Sequence, residues 1–263
     1  MILLQAVLAL LSGAAVGFSL GIIGGGGSIL AVPLLLYVVG IEDAHIAIGT
    51  SAFAVALNAF VNLFSHWRAG TVHWPCAILF GSAGALGAAI GSTLGKLVPG
   101  ENLLFLFALV MIAAGIAMLR PRLTSGEPCM RVTRQMALRL LGLGLAAGLI
   151  SGFFGIGGGF LVVPGIMLGS GMPILNAVGS SLFSVGIFGL TTAVNYALSG
   201  FVDWRIAAEF VAGGAIGGIF GMRAAVRLAR EKRVLNYIFA GVVFSAAGYM
   251  LLRTALHLFS IQG

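Results

Sequence analysis

The sequence predicts an all-α polytopic membrane protein made of two inverted-topology repeats of about five helical segments each, with glycine-broken half-helices at its site. Composition is the first reason. Lys, Arg, Asp and Glu supply 8% of the 263 residues and 60% are hydrophobic, whereas a soluble domain carries roughly 25% charge. The second reason is the length of the apolar runs. Stretches such as Leu103–Leu119 and Leu235–Leu252 approach the ~20 residues that cross ~30 Å of hydrocarbon. The third is an internal duplication. Gly17–Pro33 (GFSLGIIGGGGSILAVP) matches Gly148–Pro164 (GLISGFFGIGGGFLVVP) at Gly17, Gly21, Gly24, Gly26, Gly27, Leu30, Val32 and Pro33. Ala47–Val55 (AIGTSAFAV) then meets Ala177–Val185 (AVGSSLFSV), and Trp74 meets Trp204. A membrane β-barrel would instead show short strands of alternating polarity.

In chain order, the first half holds apolar segments at roughly 2–22, 28–39, 44–65, 75–96 and 102–119. The second holds them at roughly 137–154, 160–170, 175–198, 205–225 and 234–253. The opening segment resembles a signal peptide, but it lacks a basic start and aligns with Leu138–Gly148, so it is expected to be retained. The second segment of each half, 28–39 and 160–170, is too short to span comfortably. It either crosses a locally thin protein or returns as half of a hairpin. Both cases leave an odd number of crossings per half, so the copies insert in opposite directions. The fourth segments carry glycine every three or four positions (Gly81, Gly84, Gly87, Gly91; Gly213, Gly214, Gly217, Gly218, Gly221). Such a face lets helix backbones approach closely, with a homodimer contact or a sliding surface as the alternative use. The division is 1–120 for the first repeat, 121–136 for a basic linker and 137–263 for the second, together one transmembrane domain.

Charge sets the expected orientation. Loop 120–139 carries Arg120, Arg122, Arg131, Arg134 and Arg139 against Glu127, which places it in the cytoplasm. Inverted repeats then bring Arg68, Arg223, Arg227, Arg230, Lys232 and Arg233 to the same side. Lys96, Arg205, Arg253, Glu42 and Asp43 fall outside, as do both termini. The net charge of +7 thus reads as topology signal and lipid-headgroup contact, and no nucleic-acid partner is expected.

The glycine runs carry the chemistry. Gly24, Gly25, Gly26 and Gly27, followed by Ser28, make a poor helix, since each glycine costs about 1 kcal/mol relative to alanine. Gly155, Gly157, Gly158 and Gly159 form the matching break. Freed N–H groups must find partners at membrane depth. A short helix starting near Ser28 or Gly159 would offer its N-terminus to an anion, and tight bends for helix crossing are the plainer use. Paired breaks at corresponding places point to a transporter's binding site. Behind them stand Thr50 with Ser51 and Ser180 with Ser181, hydroxyls able to donate to an oxyanion or to the preceding helical turn. Asn58, Asn62, Thr191 and Asn195 are second-rank candidates. His45, His66, His73 and Asp203 fall near loops and are expected to be solvated or interfacial. Glu209, five residues past Trp204, is the candidate for proton coupling.

Nothing here reads as an enzyme. Gly155-Ile156-Gly157 is followed by Phe160 where a dinucleotide fingerprint needs glycine. Gly95-Lys96 precedes Leu97, so there is no phosphate-binding loop. Cys76 and Cys129 have no metal-ligand spacing and are expected as free thiols. No metal and no cofactor is expected.

The two glycine cores ending in Val-Pro, the following AIGTS and AVGSS segments, and the stretches Gly70–Trp74 and Gly200–Trp204 together resemble the TauE/SafE sulfite exporter family. The resemblance covers nearly the whole chain. It implies an inner-membrane permease for a small anion, sulfite or an organosulfonate. Alternating access with proton balance is the expected mechanism. An anion channel or a non-transporting membrane scaffold are the alternatives. One departure is that Gly25 and Ser28 stand where the second copy has Ile156 and Gly159, so the half-sites are not equivalent.

Overall fold

The structure, a computed structural model, describes residues 2–119, 132–157, 159–227, 241 and 243–252. Helix α1 (Ile2–Ile23) runs into a 3-10 segment (Gly24–Leu30) and then α2 (Ala31–Tyr37). There follow α3 (Ala44–Arg68), α4 (Trp74–Gly95) and α5 (Gly100–Leu119). The second half holds α6 (Arg134–Phe154), α7 (Gly159–Ser170), α8 (Ile174–Ala197) and α9 (Trp204–Arg227), and α10 covers Val243–Leu252. No strand occurs among the described residues. Helices α1, α3, α4, α6, α8 and α9 are long and apolar enough to cross a membrane. The protein is therefore an all-α, multi-pass membrane protein.

Local sequence explains the element ends. Asp43 caps α3 by accepting from the N–H groups of His45 and Ile46 at 2.7 and 3.0 Å, and Asp203 caps α9 in the same way. Positive-φ glycines follow both α3 and α8, at Gly70 and Gly200, a conformation that other residues adopt at a cost.

Helix directions follow from close contacts. Gly13, Gly17 and Gly21 of α1 lie against Phe210, Gly214 and Gly218 of α9, so these helices run parallel. Gly144, Gly148 and Gly152 of α6 lie against Phe80, Gly84 and Ala88 of α4. The second series is the first with the halves exchanged. A Cβ added at Gly17 or Gly148 would collide with the facing backbone, so the glycine faces are filled by close crossings within the chain. Helices α3 and α8 are the most buried spans, with 72% of each apolar window inside. They pair antiparallel: Gly186 faces Phe60, Gly189 faces Ala52 and Ala56, and Gly49 faces Tyr196.

These contacts sort the chain ends. Gln5 Nε2 donates to the Val39 carbonyl at 3.3 Å, so α2 returns to the end where α1 began. The starts of α3, α5 and α9 lie there too, since Gly100 faces Ala44 and the Asp203 N–H donates to Thr50. Among the described residues this end holds Glu42, Asp43, Glu101, Asp203 and Glu209 with Lys96 and Arg205. The opposite end holds Arg68, Arg134, Arg139, Arg223 and Arg227. Arg120, Arg122 and Arg131, and the cluster Arg230, Lys232 and Arg233, lie outside the described residues, as do Cys129, Arg253 and both terminal residues.

The two breaks differ in form. In the second half Gly155 closes α6 at φ 66° and ψ 22°, its N–H and that of Ile156 both reaching the Ser151 carbonyl. Helix α7 then starts afresh at Gly159. The first half shows no such closure: the chain tightens into the 3-10 segment and α2 begins only at Ala31. A short helix starting near Ser28 is thus not what forms, because three-residue turns carry the backbone bonding through Gly24–Leu30.

Candidate functional site

The candidate site is built around the middle of the α3–α8 pair. Val55 stands near the midpoint of α3 and Val185 near that of α8. Gly157, at φ 66°, meets both: a Cβ there would lie 2.9 Å from Val55 and 3.4 Å from Val185. Gly155 faces Ile48, about two turns before Val55, and the Ser51 hydroxyl lies 3.4 Å from the Gly155 carbonyl. The 3-10 segment holding Gly24, Gly25, Gly26, Gly27 and Ser28 packs against α7 and α8. The second glycine run thus reaches both α3 and α8, and the first reaches α8. Gly158 lies outside the described residues.

The hydroxyl pairs have defined partners. Thr50 Oγ1 accepts from the Asp203 N–H at 2.9 Å, and Ser180 Oγ accepts from the His73 N–H at 2.8 Å. Each hydroxyl therefore caps the turn leading into α9 or α4 in the other half, and each keeps one O–H to donate. Gly49 and Gly179, just before them, let those turns approach: they face Phe201 and Thr71. Phe53 against Trp204 and Phe183 against Trp74, with ring centroids 5.2 and 5.7 Å apart, complete the pair of braces. Ser51 and Ser181 donate to the carbonyls of Ile48 and Val178, each at 2.8 Å.

The second-rank residues separate. Asn195 is fully engaged where α4 and α8 end: it donates to Ser92 at 2.6 Å and Thr93 at 2.9 Å, and accepts from Lys96 Nζ at 2.7 Å. Thr191 donates to the Ile187 carbonyl. Asn62 donates to the Asn58 carbonyl at 2.9 Å. Asn58 differs, being completely buried with neither amide atom hydrogen-bonded. Glu209 pairs with Arg205, Nε to Oε1 3.1 Å, while its other oxygen is buried without a partner.

Sequence reasoning missed four buried polar side chains. Ser151, Thr192 and Tyr196 bury hydroxyls that make no hydrogen bond. His66, expected at a solvated or interfacial position, is only 4% exposed. It sits two residues before the end of α3, on the face turned toward α1 and α9. The missed signal was its spacing of four from Asn62 and eight from Asn58. Among the described residues no cluster of His, Cys, Asp or Glu could hold a metal.

Comparison with known proteins bears on what this arrangement serves. No solved structure matches the chain. A probable membrane transporter protein of Xylella fastidiosa strain 9a5c is 49% identical over 92% of this chain and 94% of its own length. Probable membrane transporter protein YdhB of Bacillus subtilis is 28% identical over 79% of this chain and 85% of its own. MJ0441 of Methanocaldococcus jannaschii, of the same description, is 31% identical over 67% of each. The family model for sulfite exporter TauE/SafE matches residues 9–250, nearly the whole described fold with both glycine breaks and both braces, and the chain belongs to that family of membrane transporters.

Proposed function

We propose that the protein is a secondary transporter moving a small oxyanion, sulfite or an organosulfonate, across the inner membrane by alternating access coupled to protons. The single observation that carries this reading is the meeting of Gly157, in the second glycine run, with Val55 and Val185 at the middle of the central helix pair, with the first run packed on α7 and α8. The start of α7 at Gly159 would offer positive potential to an anion without a buried arginine. The remaining O–H groups of Thr50 and Ser180 can add donors. The family description supports sulfite as the first compound to test.

Alternating access rests on inverted repeats. The antiparallel α3–α8 pair, with contacts that recur when the halves are exchanged, supports a two-fold axis lying in the membrane plane. Rocking of one half against the other would then expose the site to each side in turn. The bias of arginine toward one end supports a cytoplasmic linker and both termini outside. Glu209, with one carboxylate oxygen unpartnered near the outer end of α9, is the proposed outer station for the coupled proton.

Uptake of labelled sulfite into proteoliposomes, with and without a pH gradient, tests the proposal. Saturable, gradient-driven accumulation is expected. Gly26→Leu and Gly157→Leu are expected to abolish it in protein that still inserts and stays monodisperse. Wild-type flux in both variants would overturn the glycine site, and passive equilibration in wild type would point to a channel.

A further inference from the structure

We propose that His66 is the inner proton station of the transport cycle, reached from the arginine-rich end and joined to the central site by the amides of Asn62 and Asn58. This inference rests on the transporter reading above and names a group that carries its coupling ion.

Spacing comes first. Asn58, Asn62 and His66 recur every four residues on α3, so they form one file along a single helix face. All three are buried. The file starts three residues from Val55 and ends one turn before the exposed α3–α4 turn. It lies against α9, because Gly214 faces Asn58 and Gly218 faces Asn62. An asparagine amide buried at membrane depth without partners is costly unless water or a ligand visits it, and both Asn58 amide atoms lack one.

Two neighbours bracket the His66 ring. The Thr71 hydroxyl lies 3.0 Å from both the His66 carbonyl and His66 Nδ1, and it can donate to the carbonyl while accepting from Nδ1, or donate to Nδ1, according to the tautomer. Nε2 is buried and faces the Gly21 backbone of α1. A neutral ring that takes up a proton becomes an imidazolium with donors on both nitrogens, close to where α1 gives way to Gly24–Gly27. One proton on the ring balances one monovalent anion at the central site, and both leave together.

The charged surroundings are sparse. Helix α1 has no ionisable side chain, and the nearest ones on α9 at this level are the exposed Arg223 and then Arg227. Helix α3 adds Arg68, which lies over the Phe64 ring; the α3–α4 turn adds His73; the start of α8 adds none. In the second half the matching positions are Phe188, Thr192 and Tyr196, running toward the other end. Thr192 and Tyr196 keep unpartnered hydroxyls, but no group there matches the imidazole, so this inner station has no counterpart on α8.

His66→Asn is the test, because its amide can keep a hydrogen bond to Thr71 as donor or acceptor while removing the titratable ring. In proteoliposomes the variant is expected to exchange labelled sulfite at wild-type rate but to lose at least tenfold of the pH-driven accumulation, with a flat pH profile. Unchanged accumulation in the variant overturns the proposal. Wild-type flux that ignores the pH gradient overturns it too and leaves the transporter reading standing, whereas no anion flux in wild type removes that reading and this one together. Nitrogen-15 imidazole NMR of the wild-type protein does not depend on the variant folding. A neutral His66 ring that gains a second proton between pH 8 and 5 is expected, and a ring that does not change overturns the assignment.

Discussion

Thr50 and Ser180 show how a single hydroxyl can join two halves of a chain. Each accepts a backbone N–H more than a hundred residues away in sequence, in an interior where an orphaned donor costs about 1–3 kcal/mol. Thr50→Val and Ser180→Val are each expected to lower stability by about that amount, read as a fall in melting temperature in detergent, while Thr50→Ser stays near wild type. The glycine breaks were legible in the sequence because four consecutive glycines beside a proline admit few other readings. The partners of the hydroxyls were not. Nothing local in AIGTS says that the second hydroxyl of the pair, Ser51, turns back on its own helix while the first reaches across to Asp203. That His66, two residues from the exposed Arg68, faces inward was marked in the sequence only by its spacing from Asn62 and Asn58.

At the scale of the element, the helices were legible to within a few residues wherever apolar runs met a cap or a positive-φ glycine. The expected segment 44–65 became Ala44–Arg68 because the α3–α4 turn closes only at Gly70. The short segments were less legible. Periodicity could not separate a 3-10 segment from a helix start, and the difference between Gly24–Leu30 and the closure at Gly155 depends on backbone angles that glycine leaves open. Helix α9 carries its own prediction. Its first turns hold the Arg205–Glu209 pair, one partner of which is half-exposed, so removing the charge is expected to affect stability little. Glu209→Gln is expected to insert normally yet flatten the pH dependence of sulfite flux, and an unchanged profile would return the residue to a purely structural role.

At the scale of the whole molecule, the duplication made the architecture readable: one half predicts the contacts of the other, down to Gly17 with Gly214 and Gly148 with Gly84. Orientation can be checked directly. In a Cys129→Ser background, Glu42→Cys is expected to react with a membrane-impermeant maleimide added outside whole cells. Ala69→Cys is expected to react only after the cells are opened. The reverse pattern would invert the assignment of the arginine-rich end. The second native thiol, Cys76, is buried and should not interfere.

The exchanged contacts also set a timetable for synthesis. Helix α1 leaves the ribosome well before α9, yet the face bearing Gly13, Gly17 and Gly21 is filled by α9, nearly two hundred residues later. At about 5–20 residues per second that is a wait of roughly 10–40 s. The His73 N–H waits in the same way for Ser180, 107 residues downstream. The first half therefore sits in the membrane as an unfinished surface until the second arrives, and whatever shelters α1 during that interval is as much a part of making this protein as its own sequence.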